Sequence, residues 1–252
     1  MRVVREIEMS RFSTVLWDVD GTLLDFIYSQ RIALTKCFQS VGREVTEEML
    51  QRYREINDGY WKRLELGEVT KQQLLTGRFT SLFEEFDIDG VDAGAFAKEY
   101  QWNLGHVYKY QENSLEICQA LQGRVRQYVI TNGVTSSQES KLRLAGLYDL
   151  MDGVFISEQV GTPKPQKGFF EYCLNAIADA GGETDKARLL IVGDSLTSDI
   201  KGGVLSGIST CWYRPNHIFE ADEEVAAMYG QFRPDYEISR LEQIFEILEI
   251  ER

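Results

Sequence analysis

The sequence predicts an α/β protein: a parallel sheet with helices on both faces and an all-helical insertion near its start. Three observations predict it. Short apolar runs rich in β-branched and aromatic residues recur, each bounded by Gly, Asp, Asn or Ser, the pattern of strands buried on both faces. Segments of helical period separate the last four runs, which makes consecutive βαβ units. Between the first run and the second, from about Phe26 to Tyr110, the text is amphipathic and helical with no convincing strand.

In chain order, "STVLW" (13–17) predicts the first strand. "FIYSQRIALTKCFQSVG", "TEEMLQRYREINDGYWKRLELG" and "TKQQLLTGRFTSLFEEF" predict insertion helices, and Thr70 with Gln73 reads as a capping box. An insertion of this size is too long for a crossover and too helical for a disordered loop. Residues 26–110 therefore read as a small helical cap, and residues 1–25 with 111–252 as the core. The linker "DIDGVD" (87–92) follows a helical pattern with no apolar strand before it, so it reads as a connection between cap helices rather than a metal loop. Strands two to five are predicted over "VRQYVIT" (125–131), "GVFIS" (153–157), "RLLIVGD" (188–194) and "STCWYR" (209–214). The intervening helices end near Gly146, at Gly181 and Gly182, and after "SDIKGGVLSG". The glycines of "KGGVLSG" are not in dinucleotide or P-loop order and read as close helix packing. A capping box of Ser239 and Glu242 predicts a final helix.

The 252 residues, 43% of them hydrophobic, suit one large domain or one domain with an insertion. A net charge of −13 argues against a nucleic-acid polymer as partner, since Lys and Arg clusters are missing. Any phosphate chemistry must reverse the field locally, with a metal or a placed lysine. Cys37, Cys118, Cys173 and Cys211 are widely spaced, as expected of reduced, buried thiols in a cytoplasmic protein. With only His106 and His217 as histidines, a structural zinc site is not expected. No apolar run approaches the roughly 18 residues of a membrane span, and the charged start "MRVVREIEMSR" is unlike a signal peptide. A cytoplasmic monomer or weak homo-oligomer acting on a small molecule is the expectation.

In open parallel sheets the ligand crevice lies outside the carboxyl ends of the strands. Strand one ends in Asp18 and Asp20, strand two in Thr131, Asn132 and Gly133, and strand four in Gly193, Asp194 and Ser195, with Asp199 soon after. The loop after strand three, "GTPKPQKG", places Lys164 between prolines. Carboxylates converging on one edge repel or raise each other's pKa. A hard dication such as Mg²⁺, sharing carboxylates, a carbonyl and a substrate phosphate, resolves that conflict.

"DVDGT", "ITNG", the lysine of "TPKP" and "GDSLTSD" resemble the four ordered motifs of the haloacid dehalogenase (HAD) superfamily, with the insertion in its usual cap position. The resemblance implies a Rossmann-like core and a Mg²⁺-dependent phosphomonoester hydrolase. It implies that Asp18 is the nucleophile, already ionised at neutral pH, and that Asp20 is the general acid and base. Thr131 and its neighbours Asn132 and Gly133 are implied to bind the phosphoryl group, and Lys164 to neutralise charge. Asp18, the backbone carbonyl of Asp20, and Asp194 are the implied metal ligands, with Asp199 and Ser195 in support. Halide-displacing members lack the second aspartate, so Asp20 favours phosphate esters. Within the superfamily, "NDGYWKRLELGEVTKQQLLTGRF" and the stretch from "ITNG" to "GFFEY" resemble nucleotidases acting on pyrimidine and non-standard nucleoside 5′-monophosphates. Trp61, Arg78 and Phe79 are the expected cap contributions to the pocket: an aromatic face for a base and a cation for polar groups. A small sugar-phosphate or phosphoglycolate phosphatase and a phosphomutase share the same core residues. A haloacid dehalogenase or a non-catalytic binding protein fits the motifs less well.

Overall fold

The computed structural model describes residues 11–215 and 223–251. The expectations for "MRVVREIEMS" and for His217 lie outside these residues. Among the described residues six parallel strands form one sheet: β1 Thr14–Trp17, β2 Arg126–Thr131, β3 Gly153–Ile156, β4 Leu189–Gly193, β5 Ser209–Tyr213 and β6 Tyr236–Ile238. Their order is β3-β2-β1-β4-β5-β6, so the chain winds one way from β1 to β3 and the other way from β4 to β6. That reversal leaves a crevice at the carboxyl ends of β1 and β4. Register brings the strand ends level, with Trp17 opposite both Val129 and Val192.

The five anticipated strands are all present, shorter by a residue or so at their ends. β6 was not anticipated: "YEI" offers too few apolar residues to stand out as a buried run.

Helices α1 Phe26–Ser40, α2 Glu47–Glu65, α3 Lys71–Glu85 and α4 Ala93–Gly105 fill the insertion, and α5 Ser114–Leu121 leads back into β2. The capping box at Thr70 is present, with Thr70 Oγ1 accepting from Gln73 N and Gln73 Oε1 accepting from Thr70 N. Asp92, from "DIDGVD", caps α4 by accepting from Ala95 N at 2.6 Å, so that stretch is a helix connection. The insertion closes a hydrophobic core of its own around Leu34, Phe38, Tyr53, Phe79, Phe83, Phe96 and Tyr100. Its two ends meet: Asp25 N donates to Lys109 O at 2.8 Å, and Lys109 Nζ pairs with Asp25 at 2.9 Å.

The remaining helices are α6 Thr135–Leu144, α7 Ser157–Val160, α8 Lys167–Asp179, α9 Lys201–Ser206, α10 Glu223–Gln231 and α11 Ile244–Ile247. Gly202 and Gly203 do serve close packing. A Cβ on Gly202 would lie 2.4 Å from the Phe170 ring, and one on Gly203 2.3 Å from Thr210 Cγ2. The C-terminal expectation needs correction. A 3₁₀ turn and the single turn of α11 replace the helix, and Gln243, not Glu242, caps the segment by accepting from Ser239 N and Arg240 N, both at 2.9 Å. All four cysteines are free and buried. His106 stacks on Trp102 at the surface with ring centroids 4.1 Å apart. No helix among the described residues is long and apolar enough to cross a membrane.

Candidate active site

The strand ends and one face of α2 enclose a cavity of about 450 Å³. Asp18, Asp20, Thr131, Asn132, Gly133, Lys164, Asp194, Ser195 and Asp199 line its floor. Every residue expected from the core is therefore gathered in one place. A groove of similar size, about 480 Å³, sits at the opposite ends of β1 and β2 around Ser13, Arg126 and Asp152, and gathers no such cluster of carboxylates and lysine.

Local geometry explains the motif. Asp18 N donates to Val192 O at 2.9 Å, so the first aspartate still belongs to the sheet and its side chain emerges at the crevice. Gly21 has φ +94°, and a Cβ there would stand 2.2 Å from Asp194 Oδ2. A glycine is required both for the backbone conformation and for the approach of the second acidic loop. Gly193 answers the same need on the other side, where a Cβ would lie 2.2 Å from Asp199 Oδ2.

Lys164 is the hub. It is buried, and its Nζ donates to Asp18 Oδ1 at 2.7 Å, Asp199 Oδ1 at 2.5 Å and Ile130 O at 2.9 Å, which uses all three of its protons. Burial works against this ammonium, but the charges of Asp18 and Asp199 outweigh it and hold its pKa above the ordinary lysine value. The loop bearing Lys164 is tied to the end of β2 by a reciprocal pair: Lys164 N donates to Asn132 Oδ1 at 2.8 Å and Asn132 Nδ2 to Lys164 O at 2.9 Å. Thr131 Oγ1 accepts from Gly133 N at 3.1 Å.

Asp18, Asp194 and Asp199 each offer an oxygen within 4.8 Å of the others. Burial pushes the Asp18 carboxyl up to about 7, with the charges of Asp199 and Asp20 adding to the rise and Lys164 opposing it. Without metal, a carboxyl among carboxylates in a buried crevice holds its proton to higher pH than a solvated one does. Asp194 is driven well above the carboxylate range by the protein crowded around it and by Asp18 and Asp199, although its side chain remains open to the cavity. An all-oxygen donor set with excess negative charge fits a hard dication such as Mg²⁺.

Several residues at the site were not anticipated. Lys141 Nζ pairs with Asp20 Oδ1, and Gln138 Nε2 donates to Asp20 Oδ2 at 2.6 Å, so α6 holds the second aspartate. Lys71 Nζ donates to the carbonyls of Asn132 and, at 3.2 Å, Gly133, joining the insertion to the floor. Burial lowers its pKa to about 8. A signal for Lys71 was available, since a lysine in the first turn of a helix opposes the macrodipole and wants another reason to be there. Asn57, Asp58, Trp61, Lys62 and Glu65 form the α2 wall of the cavity. Burial raises Glu65 to about 7, opposed by a hydrogen bond from Thr197.

Of the three expected insertion residues, only Trp61 lines the cavity. Phe79 is fully buried in the insertion core, stacked on Tyr53 with centroids 5.2 Å apart. Arg78 is also buried, its guanidinium 5.0–5.9 Å from the Tyr53, Phe79 and Tyr100 rings, because those aromatic faces accept a cation that the cavity does not reach.

The fold and this crevice define a phosphatase of the HAD type. Residues 12–207 match the haloacid dehalogenase-like hydrolase family, and the chain belongs to that family. It is 34% identical to the HAD-hydrolase YfnB of Bacillus subtilis, over 96% of this chain and 98% of that protein. It is 33% identical to the pyrimidine 5′-nucleotidase PynA of Streptococcus pneumoniae, over 94% of this chain and 95% of that one. Identity to the pyrimidine 5′-nucleotidase YjjG of Escherichia coli is 30%, over 94% and 98%. The crystal structure of YfnB bound to magnesium, which reveals interdomain movement in that protein, superposes with a TM-score of 0.86 over 95% of this chain and all of YfnB.

Proposed function

We propose that the protein is a Mg²⁺-dependent nucleoside 5′-monophosphate phosphatase working through an aspartyl-phosphate, with pyrimidine nucleotides as its main substrates. The observation that carries the chemistry is the Lys164 hub, in which one ammonium lies between Asp18 and Asp199 at the carboxyl end of β2. The substrate class rests on the two pyrimidine 5′-nucleotidases among the relatives and on an α2 wall that offers a tryptophan beside amide and carboxylate groups.

In this reading an Asp18 oxygen attacks phosphorus, the ester P–O bond breaks, and Asp20 protonates the departing 5′ oxygen. Water then attacks phosphorus while Asp20 takes its proton, the bond from Asp18 to phosphorus breaks, and inorganic phosphate leaves with Asp18 restored. The proton-transfer role of Asp20 is worth on the order of 10²–10⁴-fold. Thr131 and the following backbone N–H groups bind the phosphoryl oxygens, and Lys164 balances their charge. Lys141 and Gln138 hold Asp20 in place for both halves of the reaction. Asp18, Asp194 and the backbone carbonyl of Asp20 would hold Mg²⁺, which supplies charge neutralisation for the phosphoryl group. Asp199 keeps Lys164 in position, and Ser195 shapes the loop between them by donating its N–H to Asp199 at 3.2 Å.

The test is inorganic phosphate release from a panel of nucleoside 5′-monophosphates, sugar phosphates and phosphoglycolate, with and without Mg²⁺. Uridylate and thymidylate should lead the panel and EDTA should abolish release; a panel in which these two rank lowest would overturn the substrate reading. Metal dependence should also vary with pH. Asp18 titrates near 7 in the metal-free site and must lose its proton to ligate. The Mg²⁺ concentration for half activation should therefore rise at least tenfold per pH unit as pH falls below that value, since Asp194, also raised, must shed its proton as well. A titration at acid and alkaline pH that gives equal half-activation concentrations would refute this coupling.

A further inference from the structure

We propose that Asn57 and Asp58 read the imide edge of a pyrimidine base lying along Trp61, and that buried Arg78 acts through Asn57 by fixing which way its amide faces. The proposal rests on the nucleotidase reading above and narrows it to bases with a ring carbonyl next to a ring N–H.

Asn57 and Trp61 stand one turn apart on α2, so they share a helix face, and both line the cavity that holds Asp18 and Lys164. Arg78 Nη1 donates to Asn57 Oδ1 at 2.7 Å. A guanidinium has donors only, so the amide oxygen is committed to Arg78 and the –NH₂ is what Asn57 offers elsewhere. Its contact to Asp58 Oδ1, at 3.4 Å, is long and engages one of its two N–H groups. Asn57 is buried, where an unused donor is costly without a partner. Asp58 lies beside it on the cavity wall and presents an acceptor.

The neighbouring donor and acceptor complement a C=O next to an N–H, the edge that uracil and thymine share. Cytosine presents an amino group and a bare ring nitrogen there, so donor would meet donor and acceptor would meet acceptor. A sugar phosphate without a base offers neither group.

The side-chain hydrogen bond that Arg78 makes goes to Asn57. Among the described residues its Nε and Nη2 have no hydrogen-bond partner, and the aromatic cage of Tyr53, Phe79 and Tyr100 holds it against Asn57. Keeping a buried cation with two unpartnered donors is expensive, and the amide orientation is what it secures.

The experiment compares kcat/KM for uridylate, cytidylate and ribose 5-phosphate in the wild type, Asn57→Asp, Asn57→Ser and Arg78→Met. The ratio of uridylate to ribose 5-phosphate should fall about tenfold or more in both Asn57 variants, since a recognition hydrogen bond is lost. Asn57→Asp should also gain on cytidylate relative to uridylate, because an acceptor replaces the donor, whereas Asn57→Ser should not. Arg78→Met should lower the same ratio through KM, although it does not line the cavity. A ratio that stays within about twofold of wild type in both Asn57 variants overturns the proposal and leaves the nucleotidase reading standing. A wild type that prefers ribose 5-phosphate to uridylate overturns both. Equal losses on all three substrates in Arg78→Met would make Arg78 a folding residue and remove it from the subsite.

Discussion

Replacing Asp18 by asparagine is expected to cut phosphate release by on the order of 10⁴-fold or more, the scale of losing a covalent nucleophile. Asparagine has nearly the same shape, so the position of β1 and the Lys164 loop should survive. What disappears is the charge that attacks phosphorus and shares the metal. Stability should change in the other direction under metal-free alkaline conditions. Asp18 has its pKa raised from 3.8 to about 7 by burial and by neighbouring carboxylates. A group raised in the folded state contributes stability below its unfolded value and loses that contribution as pH rises through its folded value. At pH 8, without metal, the wild type therefore carries an unfavourable buried charge that the variant lacks. The melting temperature of metal-free Asp18→Asn should exceed that of metal-free wild type at pH 8, and the gap should close toward pH 4. Mg²⁺ should stabilise the wild type and leave the variant nearly unchanged. Undiminished hydrolysis by the variant would remove Asp18 as the nucleophile, whatever the melting curves show.

The core of the site was legible because each piece sits where a strand stops. An apolar run that ends in Asp18 and Asp20, or in Thr131 and Asn132, announces its own position, since the sheet fixes where strand ends lie. Lys164 was legible only through the order of the motifs; a lysine between prolines carries no signal alone. What escaped was set by contacts across elements. Gln138 and Lys141 share a face of α6 by their spacing of three, yet the sequence does not say that this face meets Asp20. Arg78 shows the same gap from the other side. A cation on an amphipathic helix reads as a solvent or cavity residue, and only the packing of Tyr53, Phe79 and Tyr100 reveals that it is enclosed. The upward shift of the Asp18 carboxyl escaped for a related reason. A reference pKa describes a solvated carboxyl, and the crowding that shifts it belongs to the folded crevice.

Lys164→Met should be the most damaging single change to stability, with a smaller loss of activity than Asp18→Asn. The side chain is 1% exposed and its three hydrogen bonds end on Asp18, Asp199 and a backbone carbonyl. Methionine fills similar volume but leaves two buried carboxylates facing each other, and breaking a buried ion pair from one side costs about 3–5 kcal/mol. The sign of the pH dependence separates this from simple loss of packing. Lys164 is what holds the Asp18 carboxyl down, so without it Asp18 rises further and retains its proton to higher pH. The destabilisation measured by denaturant unfolding should accordingly be smaller near pH 4, where Asp18 holds its proton, and should grow through neutrality. Activity should fall roughly 10²–10³-fold, because the phosphoryl charge is then met by the metal site alone. Lys164→Arg should not rescue either property, since a planar guanidinium cannot place three donors where one ammonium placed them. A Met variant equally destabilised at both ends of the pH range would mean that Lys164 serves as filler in the crevice, and the charge-balancing role assigned to it would fall.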